Sequence, residues 1–188
     1  MKLAYPLLLL ALTLPIVQTA RASEPDVMRR TTQILTRAIA YDRKLRARSG
    51  EDISIAILYD PHHLDDARAS IATLQELAGT HIRGLPVRAI ALPWTNIEDL
   101  EHRMLDNDVD ILWLCGDDLL PHIEGITQST RKHNILTMAP NAKMVRAGAS
   151  LGAQSDGAHI QLYINLPASR AEGVAFGTEL LQLAQVYQ

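Results

Sequence analysis

A three-layer α/β sandwich, with a mainly parallel sheet, helices on both faces and an antiparallel C-terminal edge hairpin, is the fold that the sequence predicts. Three observations predict it. From Ile53 onward, short apolar runs rich in branched side chains alternate with amphipathic stretches of helical length. The runs over 53–59 and 109–115 are apolar without alternation, as strands covered on both faces are. Apolar residues make up 47% of the 188 residues and aromatic ones only 4%, so Leu, Ile, Val and Ala must fill the core.

The elements follow in order. Ser23, Glu24, Pro25 and Asp26 combine a capping residue with acids and a proline, which is a helix start. Val27, Thr31, Ile34, Leu35, Ala38, Tyr41 and Leu45 then recur every three or four residues, so a helix is expected over 23–48, closed by Ser49 and Gly50. Its last turns carry Arg43, Lys44, Arg46 and Arg48, cations that suit the negative end of the helix dipole. A strand over 53–59 is bounded by Asp52 and by Asp60-Pro61. Ile71, Leu74 and Leu77 give one stripe to a helix over 64–78, which Gly79 stops. Strands are expected over 87–92, 109–115 and 135–139, with helices over 97–105, 119–132 and 142–147 between and after them. Strands over 150–153 and 158–165, joined by a turn at Asp156-Gly157, make the edge hairpin. A last helix is expected from Pro167 to the end.

Residues 1–22 have the pattern of a secretory signal peptide: Lys2, an apolar run from Leu7 to Leu14, and the small residues of Ala20-Arg21-Ala22 before a cleavage point. Pro15 breaks the run short of the roughly 20 residues of a bilayer span, so no membrane insertion is expected after cleavage. Residues 23–188 read as a single domain, since no repeat and no long loop divides them. The chain's net charge of −3 becomes −5 once Lys2 and Arg21 are removed. With few aromatic rings and no excess of cations, the surface is not one for nucleic acid. Cys115, alone in the sequence, cannot form an internal disulfide and reads as a buried thiol.

Ligands of open parallel sheets sit beyond the carboxyl ends of the strands. Those ends offer Asp60, His62 and His63, then Trp94 and Thr95, then Asp117 and Asp118, then Asn141, and these are the candidate ligand-binding residues. Imidazole and carboxylate can hold a divalent metal, but the spacing matches no metal motif. Asp60, Thr95 and Asp117 also stand where helix N-caps belong, so no metal is expected. Gly148-Ala149-Ser150-Leu151-Gly152 matches the G-x-S-x-G pattern of hydrolase elbows, with Asp156 and His159 beyond it. An elbow needs a strand before the serine and a helix after it, and here a helix precedes and a hairpin follows, so no catalytic residue is assigned. Nucleotide-binding glycine loops and CxxC pairs are absent, and no cofactor is expected. On the last segment, Val174, Phe176, Leu180, Leu181, Leu183, Val186 and Tyr187 exceed one helical stripe. The surplus, Phe176, Leu183 and Tyr187, is the candidate surface for a partner or a homodimer.

The second half resembles the YfiR/HmsC-like family of small periplasmic proteins. The residues that carry the resemblance are the strand Asp110-Ile111-Leu112-Trp113-Leu114, the strand Ile135-Leu136-Thr137-Met138, Gly148, the ending Ile164-Asn165-Leu166, and a closing segment with Ala171, Gly173, Leu180-Leu181 and Leu183-Ala184. Asn165 is the polar position carried over, as a cap or turn-former. The chain departs from the family's cysteine pairs, its Trp-Pro stretch and its Arg-Phe-Glu, having one cysteine, Tyr41-Asp42-Arg43-Lys44 and Gln161-Leu162-Tyr163 there. The resemblance implies a non-catalytic periplasmic regulator that binds the outer domain of an inner-membrane diguanylate cyclase and restrains cyclic di-GMP signalling and biofilm formation. The alternation also resembles one lobe of a periplasmic small-ligand binding protein serving a transporter or sensor, which is the alternative reading.

Overall fold

The structure is a computed structural model and describes residues 24–155 and 159–188. The expected signal peptide and the Asp156-Gly157 turn lie outside the described residues. Eight strands form one sheet in the order β2-β3-β1-β4-β5-β6-β7-β8. They are β1 (Ile53–Tyr59), β2 (His81–Ile82), β3 (Leu85–Pro93), β4 (Ile111–Cys115), β5 (Leu136–Ala139), β6 (Leu151–Ser155), β7 (Ile160–Asn165) and β8 (Ala184–Tyr187). The five central strands, β3-β1-β4-β5-β6, are parallel, while β2 pairs antiparallel with β3 and β7 antiparallel with β6.

Helices cover both faces, as the sequence predicts. On one face α1 (Glu24–Ile39) and α3 (Leu64–Leu77) lay Leu35, Ile39, Ala67 and Leu74 over Ile55, Ile57, Ile111 and Trp113. On the other, α4 (Ile97–Asp106), α5 (Ile123–Lys132) and α6 (Ala142–Arg146) pack Leu100, Met104, Ile126, Met144 and Val145 on Ala56, Leu58, Leu112 and Leu114. Successive residues of β1 and β4 thus enter opposite cores, which is why these runs show no alternation. The chain moves from β1 outward to β3, then returns across β1 to β4, and the helices change face at that return. This places a topological switch point between β1 and β4.

Two expected helices are corrected. The first does not run over 23–48: it ends at Ile39, and a short α2 (Leu45–Ser49) follows a turn. The cause is Asp42, which is fully buried and accepts the Lys44 backbone N–H at 2.9 Å, a local bond that competes with the helical one. Asp42 also accepts from the Ala175 N–H at 3.0 Å and from Arg48 Nη2 at 3.0 Å. Arg48, expected as a solvated dipole cation, is instead nearly buried and donates Nη1 to the Asn134 carbonyl at 2.9 Å.

Nor is the tail one helix from Pro167 to the end. It divides into α7 (Leu166–Ala171), an extended stretch, α8 (Thr178–Leu183) and β8. Gly173 sits at φ +75°, the left-handed turn that ends α7, and a Cβ there would come within 2.9 Å of Asn134 Oδ1. Beyond it the Arg43 and Gly177 N–H groups donate to the carbonyls of Ala175 and Tyr41, both at 2.9 Å. Val174 and Phe176 both point inward, at the two-residue spacing of an extended chain. The apolar surplus read as a second helical stripe is therefore divided: Phe176 is core, Tyr187 is on the edge strand, and Leu183 ends α8 exposed.

Asn165 fills the expected capping role. Its Oδ1 accepts the Ala168 N–H at 3.0 Å and its Nδ2 donates to the Val145 carbonyl at 3.0 Å. Asn165→Ala is expected to lower stability by about 1–2 kcal/mol, read as a lower denaturant midpoint at unchanged slope.

Candidate functional site

The candidate ligand residues all lie at the carboxyl edge of the parallel sheet, but the structure divides them into small sets. At the switch point, His63 Nδ1 stands 3.1 Å from Asp118 Oδ2 and 3.8 Å from Asp60 Oδ2, joining the loop after β1 to the loop after β4. Asp60 turns its own loop, accepting the His62 N–H at 2.8 Å, and the His62 side chain is exposed. Next to them, Asn141 Nδ2 donates to Asp117 Oδ1 at 2.6 Å, linking the loops after β4 and β5, while Asn141 Oδ1 caps α6 through the Met144 N–H at 3.0 Å. On the far side of β1, the Thr95 hydroxyl donates to Asp99, whose Oδ2 also pairs with Arg103 Nη2 at 2.6 Å. Trp94 is held by its backbone N–H, 2.7 Å from the Tyr59 carbonyl, and its ring stacks on His122 with centroids 4.7 Å apart.

The capping roles expected of Asp60, Thr95 and Asp117 fall elsewhere. α4 is capped by Asn96, whose side chain accepts the Asp99 N–H at 2.9 Å, and Asp117 opens a 3-10 helix (Asp117–His122) without capping it. The carboxyl edge thus presents a line of polar side chains already engaged with one another, with an aromatic pair at one end. Among the described residues, no group of three His, Cys, Asp or Glu side chains is arranged to hold a metal ion.

Of the expected interaction surface, only Leu183 is strongly exposed, at 67%. Phe176 is a correction: it is 7% exposed and belongs to the core, because its segment is extended and not helical. Tyr187 lies on edge strand β8, its ring stacked on Tyr163 at 6.2 Å and its hydroxyl accepting from Arg146 Nε at 3.1 Å.

Sequence reasoning missed two groups. One is His122, the stacking partner of Trp94, which no spacing could connect to a tryptophan so far away in the chain. The other is Glu172, which follows α7 and is fully buried. Its carboxylate accepts the Thr137 N–H at 2.9 Å, the Thr137 hydroxyl at 2.8 Å, the Thr130 hydroxyl at 3.0 Å and the Ser150 hydroxyl. Burial pushes its pKa up from 4.5 to about 7, against the lowering effect of these bonds. Ser150, the centre of the elbow-like motif, is itself fully buried and spends its hydroxyl on Glu172. A short helix precedes it and a strand follows, the reverse of an elbow. No described helix is long and apolar enough to cross a membrane.

No curated protein matches the chain. Three solved structures share its fold. An ABC domain from Streptococcus pneumonia in complex with L-Trp superposes with a TM-score of 0.59 at 12% identity, over 85% of this chain and 60% of that one. A ligand-free, open substrate-binding protein with adhesive properties from Clostridium difficile gives 0.57 at 10% identity, over 77% and 57%. A conserved domain protein from Vibrio cholerae gives 0.57 at 14% identity, over 86% and 60%. This chain therefore spans about 60% of the length of the structures it resembles. The model of the YfiR/HmsC-like family matches residues 31–185, which takes in strands β1 to β7 and the start of β8. The chain belongs to the YfiR/HmsC-like family.

Proposed function

We propose that the protein is a non-catalytic periplasmic regulator that binds the outer domain of an inner-membrane signalling protein, such as a diguanylate cyclase, and holds it inactive. Family membership over residues 31–185 is the observation that carries this reading. The site supports it: the one serine in a hydrolase-like motif is sealed under the tail, and the carboxyl-edge groups are engaged with each other. Leu183, beside edge strand β8, is the most exposed large apolar side chain among the described residues and is offered as the contact with the partner.

The test uses the protein without residues 1–22, incubated with detergent-solubilised inner membranes. Retention of a diguanylate cyclase with a periplasmic domain, and a fall in its activity when the protein is added, are the expected results. Leu183→Glu should weaken retention about tenfold or more while leaving the melting temperature unchanged, since the side chain contributes little to the core. A cyclase whose activity ignores the protein would overturn the proposal.

The likeness to substrate-binding folds favours one second reading, a small-ligand binding protein serving a transporter or sensor. In that reading the ligand would sit at the switch point between β1 and β4, where His63 and Asp118 meet. Retention of transporter subunits in place of a cyclase would select it.

A further inference from the structure

A groove of about 620 Å³ lies where the last turn of α5, the end of α6 and the first turn of α7 meet the sheet edge. Arg131, Arg146, Asn165, Pro167, Tyr187 and the last residue, Gln188, with its backbone carboxyl, are among its walls, and no Asp or Glu side chain lines it. Four arginines outside the groove meet carboxylates: Arg29 with Asp26, Arg48 with Asp42, Arg88 with Asp52 and Arg103 with Asp99. Among the described residues, neither groove arginine makes such a pair. Arg131 donates Nη2 to the Gly148 carbonyl at 3.3 Å, and its Nε has no acceptor. Arg146 donates Nε to the Tyr187 hydroxyl at 3.1 Å and lies 5.4 Å from the centre of that ring.

A guanidinium carries five N–H donors, so most of those in the groove are left for a ligand. The helix dipoles of α5 and α6 explain why cations are tolerated at these helix ends, but a dipole supplies no acceptor for their side-chain N–H groups. The backbone keeps the site open. Gly148 sits at φ +134°, and a Cβ there would stand 3.4 Å from Arg131 Nη2 and 3.2 Å from Thr127 Oγ1, crowding the guanidinium. The volume is that of a small-molecule site, with room beyond one oxyanion group.

We propose that this groove is a binding site for a small oxyanion ligand, whose phosphate or carboxylate group is held between Arg131 and Arg146 with the Tyr187 ring and Pro167 as the wall for its organic part. The site is separate from the carboxyl-edge cluster and goes beyond the regulatory reading. Two guanidinium groups suit such a group because each can offer two parallel N–H bonds to its oxygens.

Calorimetric titration of the protein with inorganic phosphate and, separately, with succinate tests this, each against sodium chloride at equal ionic strength. Saturable binding of either oxyanion, absent with chloride, is the expected result, and whichever binds identifies the ligand class. Arg146→Gln, at an exposed position, should weaken that binding about tenfold or more with an unchanged melting temperature, and Arg131→Gln should do the same. Binding no stronger than that of chloride would overturn the proposal, as would binding that survives in the double variant. The assay contains no membrane protein, so its failure leaves the regulatory reading to its own test.

Discussion

Arg48→Ala is expected to lower the stability of the protein by about 3–5 kcal/mol, because it removes the one cation bonded to a fully buried carboxylate. Arg48 donates Nε and Nη2 to Asp42 Oδ2 at 3.3 and 3.0 Å, and Nη1 to the carbonyls of Asp110 and Asn134 at 3.3 and 2.9 Å. These contacts tie the turn after α1 to the loops that precede β4 and β5. Asp42 in turn holds the Ala175 N–H, so the pair also anchors the strap between α7 and α8. With the guanidinium gone, two N–H groups would still bond Asp42, but its charge would have no cation. Urea unfolding of the variant should show the lower midpoint. Arg48→Lys should recover only part of the loss, since an ammonium cannot span both carbonyls and the carboxylate in one plane. A loss under about 1 kcal/mol in Arg48→Ala would mean that the ion pair is not desolvated as its burial indicates.

The second large effect is on pH dependence. Glu172 has its pKa raised from 4.5 to about 7 in the folded protein, chiefly by burial. Between those two values the folded state keeps a proton that the unfolded chain has released. Stability therefore falls as pH rises from about 4.5 to about 7 and levels off above, with a total change of about 3 kcal/mol from this group. Below about 4.5 the contribution is fully favourable, since both states hold the proton. Glu172→Gln removes the charge while keeping the shape, and its unfolding free energy should lack this decline. The measurement is the difference between wild type and variant at pH 5 and pH 8. An equal slope in both proteins would assign the pH dependence to other groups, such as Asp110, whose carboxyl burial also pushes upward.

The two effects meet in the segment that follows α7. Glu172 and Asp42 each satisfy their oxygens with donors from remote parts of the chain: hydroxyls of α5, of β5 and of Ser150 just before β6 for the first, and the Ala175 N–H for the second. A carboxyl group whose pKa is pushed up to about 7 lies three residues before Ala175, where Asp42 holds the strap. Loosening at high pH should therefore appear first in hydrogen exchange of the amides from Gly173 to Gly177.

The amino-acid sequence by itself determined the parallel sheet, its two-sided cover and the antiparallel hairpin of β6 and β7. Those are local matters: a run such as Ile53–Tyr59 has no polar face to show to water, and the stripes of α3, α4 and α5 have only one apolar side each. It also determined the set of residues at the carboxyl edge, because strand ends can be read from the punctuation of Asp60, Trp94, Asp117 and Asn141. The ring pair of Trp94 and His122, the meeting of His63 with Asp118, and the groove arginines needed the strand order, since each joins loops that are distant in sequence.

The two helices that the sequence extended too far share one physical reason. Apolar spacing continues through 40–48 and through 173–187, so periodicity alone carries each helix on. What stops them is tertiary: the buried Asp42 carboxylate draws backbone N–H groups from two segments at once, and Gly173 turns the chain where Asn134 leaves no room for a side chain. Phe176 thereby becomes core, Leu183 stays outside, and Glu172 is buried against the hydroxyls of Thr130, Thr137 and Ser150. Burial of a charged side chain costs free energy that only partners brought together by the fold can offset, and those partners do not exist until the sheet has formed.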